Sequence, residues 1–198
     1  YNDAVTLGTD VTLTTTSNNV TFGSTVNSAD ATARDLTLSI GTGTARFDGV
    51  VGGNYVLDVI GITGNLDLNA AILKSDSSAG ATSLSVSGTS DLGANVKTTG
   101  AQSYTGAVTL SGGDRTLTGS TITTNGAIIG GSNSLSISGN AVFGNSTDDT
   151  ITGVNELSVS GTTTINTNTV TTAGAQAYTG AVTLGTDVTL TTTSNNVT

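Results

Sequence analysis

The chain has 198 residues, 42 of them Thr and 27 Gly, with no Pro, Cys, Met, Trp or His, and its 5 basic against 14 acidic residues leave a net charge of −9. Without Cys or His there is no thiol nucleophile, no disulfide, no zinc site of the usual kind and no Ser-His-Asp triad. Five basic residues form no phosphate-binding stripe, and no apolar run approaches the ~18 residues of a membrane span, so neither nucleic acid nor a bilayer core is an expected partner.

Usage is skewed towards Val, Ile and Thr, which are stiff at χ1 and favour a pleated surface. No stretch shows a 3.6-residue apolar period, and the strong helix formers are scarce. The chain therefore reads as all-β. In chain order the first strand is AVTL at 4–7, with Val5 and Leu7 facing one side and Thr6 the other. Gly8-Thr9-Asp10 makes a turn, a second strand follows at 10–16, and Ser17-Asn18-Asn19 makes the next turn. Three strands and three corners of this kind make one coil of a β-solenoid.

Related strands begin near residues 36, 57, 84, 107, 135, 157 and 181. LSVSGTSDL at 84–92 returns as LSISGNAVF at 135–143 and LSVSGTTTI at 157–165, and AQSYTGAVTL at 101–110 returns as AQAYTGAVTL at 175–184. These intervals predict about eight coils of roughly 25 residues, too short for a propeller blade. Val, Leu, Ile and Ala fill the interior, with Phe22, Phe47 and Phe143 inserted; Thr and Ser face solvent. Asn or Thr repeated at one corner is expected to form hydrogen-bonded ladders.

The longest repeat joins the two ends. AVTLGTDVTLTTTSNNVT at 4–21 recurs letter for letter at 181–198, and Tyr1 matches Tyr178, so the period is 177 residues. The chain reads as a window from a longer tandem array, 1–198 being one continuous solenoid segment with neither end capped. Val5 and Val182 are expected in the same strand of the coil. Seven coils per period correspond to roughly 34 Å of length at ~4.8 Å per coil.

AVTL, LSVSG and TTTINTNTVTTAGAQAYTGAVTL (162–184) resemble filamentous haemagglutinin-like repeats of giant secreted bacterial adhesins. The resemblance covers essentially the whole chain. It implies a right-handed parallel β-helix that serves as a stiff extracellular fibre or stalk on a bacterial surface, with no catalytic residue, metal or cofactor. Its implied partners are adjacent repeats of the same chain, laterally associated copies, and host or neighbouring-cell glycans.

Several residues invite a more specific reading. Asp148-Asp149 in GNSTDDTITG suggest a calcium turn, but the Gly/Asp nonapeptide pattern does not repeat. That pair, or Asp114 with Arg115, suggests carbohydrate cleavage; neighbouring strand residues point to opposite faces, which argues against a paired carboxylate centre. Thr runs at 12–16, 121–124 and 162–172 suggest an ice-binding array, but their spacing is irregular. Tyr1, Tyr104 and Tyr178 share one repeat position and read as corner packing or glycan-stacking aromatics. Gly52-Gly53, Gly112-Gly113 and Gly130-Gly131 lack the Lys-Ser/Thr of a phosphate loop and read as turns. AAILKSDSSAGA at 70–81 breaks the strand pattern and reads as a loop or helical turn projecting from the shaft. The expectation is a non-catalytic structural module, with a ligand-binding surface for glycan, ice or calcium as the alternative.

Overall fold

The computed structural model describes residues 1–198. Every regular element is a β-strand, and every strand-to-strand pairing is parallel. Three strands complete one turn. Strand β1 (Val5–Leu7) lies on face 1, β2 (Val11–Thr14) on face 2 and β3 (Val20–Phe22) on face 3; β4 (Val26–Ser28) then returns to face 1 and places Val26 beside Val5. Each face is thus a parallel ladder running along the axis, with side chains alternating in and out.

The inward residues trace three columns. On face 2 the partners run Val11, Leu36, Ile60, Leu84, Gln102, Ile122, Ala141, Thr163, Val182. On face 3 they run Val20, Ala45, Leu66, Ser90, Val108, Ile128, Ile151, Val170, Leu190. On face 1 they run Val5, Val26, Val51, Ile72, Val96, Leu117, Ile137, Val159, Tyr178. The all-β solenoid expected from the sequence is the fold, but the coil is tighter: about nine turns spaced about 21 residues apart, instead of eight of 25.

A continuous apolar column of 37 buried residues fills the tube. The parallel register also places like on like. Tyr1, Phe22 and Phe47 stack with ring centroids 5.3 and 4.9 Å apart and interplanar angles of 9° and 7°. The fused register compels this near face-to-face geometry, since each ring sits one strand spacing above the next.

Corners are where a parallel ladder loses hydrogen bonds, and two devices repair it. One is close backbone approach. Gly43, Gly64, Gly88, Gly106 and Gly126 succeed one another along the edge between faces 2 and 3, and Gly100, Gly119, Gly139, Gly161 and Gly180 along the edge between faces 1 and 2. At Gly139 φ is +146°, and a Cβ there would lie 1.9 Å from the Gly119 carbonyl oxygen, so a side chain is excluded. The other device is an Asx side chain that accepts a backbone N–H of the next coil. Asn19 accepts from Thr44 N (2.9 Å), Asn65 from Thr89 N (2.9 Å), Asn95 from Thr116 N (2.9 Å) and Asn140 from Thr162 N (2.9 Å). Asp10, Asp35 and Asp114 do the same for Asp35, Val59 and Ser134. The expected Asn ladder thus runs side chain to backbone and over several corners, because the orphan group at a corner is the N–H.

The repeated motifs do not keep to one face. Val5 lies on face 1, whereas Val182, its counterpart in the identical copy, lies on face 2 beside Thr163. They are not in the same strand of the coil, as the sequence suggested. Val108 of the third AVTL lies on face 3. The tyrosines before these strands follow suit. The Tyr1 carbonyl accepts from Gly23 N at 2.8 Å, which seats Tyr1 over Phe22 on face 3; Tyr104 is on face 2 and Tyr178 on face 1. One motif therefore occupies all three faces. The 177-residue period spans eight coils plus one face, so successive copies are turned by a third of a revolution. At ~4.8 Å per coil this is roughly 40 Å of axis, longer than the 34 Å inferred from seven coils.

Candidate functional site

Of the three tyrosines that share the repeat position, Tyr104 and Tyr178 are interior rather than corner groups. Tyr104 is fully buried, and its hydroxyl donates to Gln102 Oε1 at 2.9 Å. Gln102 Nε2 in turn donates to the Thr118 carbonyl at 2.8 Å in the next coil and to Thr98 Oγ1 at 3.2 Å. The second copy repeats the arrangement on another face: Tyr178 donates to Gln176 Oε1 at 3.1 Å, and Gln176 Nε2 to the Thr191 carbonyl at 2.9 Å. Burial pushes both phenols up, Tyr178 to about 12 and Tyr104 further still. Neither ring is offered to a glycan. Tyr1 is 59 % exposed but spends one ring face on Phe22. The signal that the interior holds this polar pair was present in the sequence: Gln and Tyr two apart lie on the same side of a strand, and both copies of AQxY carry them.

The acidic candidates are corner groups. Asp149 Oδ2 accepts from Asn145 N and Ser146 N, both at 3.1 Å, closing an exposed turn over 144–149. Asp114 accepts from Ser134 N at 2.7 Å, and Arg115 points elsewhere, donating to the carbonyls of Gly93 (2.7 Å) and Gly113 (3.1 Å). Neither pair presents two convergent carboxylates, and no three acidic groups cluster anywhere in the chain. On face 3, Arg46 donates to Asp48 at 2.8 Å and lies 3.7 Å from Asp67. Its hydrogen bond, with a second from Asn69, holds the Asp48 carboxyl below the usual carboxylate range.

Of the threonine runs, 12–16 lies against Leu36–Ser39 and 121–124 against Asn140–Phe143, and only 162–172 stacks with other Thr-x-Thr pairs. Thr150/Thr152, Thr169/Thr171 and Thr189/Thr191 each straddle an inward residue on face 3, with Thr150 beside Thr169, Thr169 beside Thr189 and Thr171 beside Thr191. This makes two full rungs of paired outward hydroxyls, continued by Thr150 alone because the ladder shifts register after Ile151, and the uneven spacing in sequence had concealed them. Above them the column passes to Ile129, Thr109, Asp91, Asp67 and Arg46, and the hydroxyl pattern ends.

Segment 70–81 contains no helix. Ile72 keeps its place in the face 1 ladder, and a hairpin-like excursion is closed by an antiparallel bridge from Leu73 to Ala79. Ser77 turns it with φ at 66°, and Lys97 Nζ donates to the Ser77 carbonyl at 2.6 Å. Beneath the excursion runs a shallow groove of about 440 Å³ bordered by Thr25, Asn27, Val50, Asn54, Leu73 and Lys74. Lys74 is its only charged group. The paired glycines at 52–53, 112–113 and 130–131 are turns, with positive φ at Gly52, Gly112, Gly113 and Gly131.

Val182, Leu184 and Val197 are 41, 56 and 44 % exposed on the last rung. No helix of the chain is long and apolar enough to cross a membrane. No protein-family model, curated protein or solved structure matches this chain.

Proposed function

We propose that the chain is a structural repeat unit of a giant extracellular bacterial surface protein or filament, a length of stiff shaft without catalytic activity. The observation that carries this is the seating of one motif on all three faces of an unbroken parallel ladder. Such a lattice takes further copies along its axis without any special junction, converting sequence length into reach. The resemblance to filamentous haemagglutinin-like repeats supports the adhesive and extracellular parts of the reading, as do the absence of Cys and the acidic, Thr-rich exterior. Adjacent repeats of the same chain are then its first partners, and surface glycans or laterally packed copies its further ones. Of the ligand-binding alternatives, the short Thr array on face 3 speaks for ice or ordered water. We favour the shaft, because the array stops after three coils while the ladder runs the length of the molecule. Electron microscopy of the native, full-length protein tests it. Thin fibres with an axial period near 40 Å are expected, on the ~4.8 Å strand spacing. Compact particles without an extended shaft would overturn the reading.

A further inference from the structure

Two successive coils leave the ladder at the same edge of face 1. After Val51 the chain bends through 52–55, and after Ile72, the ladder partner of Val51, it makes the excursion over 73–79. Ser75 N donates to the Gly53 carbonyl at 2.8 Å and ties the two together, while Lys97 Nζ holds the far side of the excursion at the Ser77 carbonyl. The groove of about 440 Å³ lies against these two loops, a size usual for small-molecule sites. Its floor comes from three consecutive coils: Thr25, Val50 and Ala71 each precede an inward residue of the face 1 column and so point outward.

The lining has a definite chemistry. Val50, Ala71 and Leu73 give a small aliphatic floor, with Val50 37 % exposed. Around it stand the hydroxyls of Thr25, Ser75 and Ser77 and the amides of Asn27 and Asn54. Asn54 is exposed, and its tie to Asn27 runs through its backbone N–H at 2.8 Å, so its side-chain amide is left for a ligand. In a chain with 14 acids and 5 bases, no carboxylate lines the groove and the one charge is Lys74. Lys74 lies 3.5 Å from Asp76, an exposed and weak pair. Asp76 does not depend on it, because Ser78 N donates to Asp76 Oδ1 at 2.9 Å. Lys74 therefore turns to an incoming anion without leaving a carboxylate unpartnered. The backbone is already spent: the Thr25, Val50 and Ala71 carbonyls accept from Val5 N (2.8 Å), Val26 N (3.1 Å) and Val51 N (3.0 Å) of the preceding coils. A peptide, which binds a sheet through main-chain pairing, finds nothing to pair with here. A ligand whose polarity lies in hydroxyl groups does.

We infer that this groove binds a saccharide that carries a carboxylate. The C–H face of a sugar ring lies on Val50 and Leu73, its hydroxyls meet Thr25, Asn54 and Ser75, and its carboxylate meets Lys74. The inference rests on the glycan-partner part of the reading above and gives it a place and a ligand class; it does not depend on the shaft. Amide NMR of the isotope-labelled full chain tests it. The probes are a short oligosaccharide of glucuronic acid and N-acetylglucosamine, a sialylated lactose, plain lactose, and an acetylated tripeptide with a free carboxylate. The first two separate a uronic from a sialic source of the charge. Shifts are expected at Asn27, Gly53, Asn54 and residues 73–77, with one acidic sugar bound at least about fivefold more tightly than lactose, the scale of one exposed charge-assisted bond. Lys74→Gln should abolish that preference and leave lactose binding unchanged; Asn54→Ala should weaken both sugars. Equal affinity for lactose and both acidic sugars, tighter binding of the tripeptide, a preference that survives Lys74→Gln, or no groove shifts at ~10 mM sugar, where a millimolar site is filled, would each overturn the inference. Such a failure leaves the shaft reading standing, since that is decided by the fibres seen in microscopy.

Discussion

Residues 4–21 and 181–198 carry the same side chains in the same order, yet Leu7 is 3 % exposed and Leu184 56 %, and Val5 lies on face 1 while Val182 lies on face 2. Local sequence fixes what is common to them: a strand, a turn, a strand, with Val and Leu inward. It does not fix which face of the tube they occupy, and it does not bury them. Burial comes from the neighbouring coil, and the face from the count of strands between the copies. In a repeat fold of this kind, stability belongs to the interfaces between coils more than to the coils themselves.

Truncating the same residue in both copies should have very different costs. Leu7→Ala should lower unfolding stability by about 2–4 kcal/mol in a urea titration, the usual cost of emptying a packed aliphatic site. Leu184→Ala should change it by less than about 0.5 kcal/mol. Equal losses would mean that the last rung is covered in solution. Tyrosine ionisation compares the two AQxY copies. A phenol whose folded pKa is raised keeps its full contribution to stability below the unfolded value near 10 and loses it as pH rises through the folded value. Alkaline melting should therefore begin to lower Tm above about pH 10, and Tyr178 should ionise near pH 12, ahead of Tyr104. Tyr104→Phe should shrink the alkaline loss more than Tyr178→Phe does, as read by Tm and phenolate absorbance. The smallest effect inverts the first. A Cβ at Gly8 meets nothing within 4 Å, while one at the matching Gly185 meets Asn166 Oδ1 at 2.2 Å. Gly8→Ala should be neutral or stabilising by up to about 1 kcal/mol, and Gly185→Ala should cost a few tenths of a kcal/mol to about 1 kcal/mol as the Asn166 side chain swings away. Differential scanning calorimetry of the two variants measures both.

The solenoid was legible in the sequence because alternation and turn residues are local signals. The coil count was not, for a physical reason. LSVSG at 84 starts on face 2, whereas LSISG at 135 and LSVSG at 157 start on face 1. The motif marks a strand and its corner, not a whole turn, so distances between its copies are not coil lengths. The same ambiguity hid the Thr-x-Thr rungs, which coincide only once the uneven coils are stacked. Gln102 and Gln176 escaped notice because polarity argues for an outward place. Their burial depends on the tyrosine hydroxyl and on a carbonyl in the adjacent coil, neither of which a single strand reveals. Asp114 and Asp149 suggested calcium or carbohydrate chemistry in the sequence, but each carboxylate is spent on backbone N–H groups at a corner, a demand that appears only once the coils are stacked.

The indifference of the motif to its face bears on how such a chain changes length. The tyrosine motif recurs at offsets of 103, 74 and 177 residues, corresponding to 14, 11 and 25 strands, and none of these strand counts is a multiple of three. A duplication or deletion therefore need not remove whole turns to leave the ladder intact; any whole number of strands will re-seat. Misaligned recombination, which wrecks most folds, here yields a longer or shorter solenoid whose surface features have simply moved round to another side.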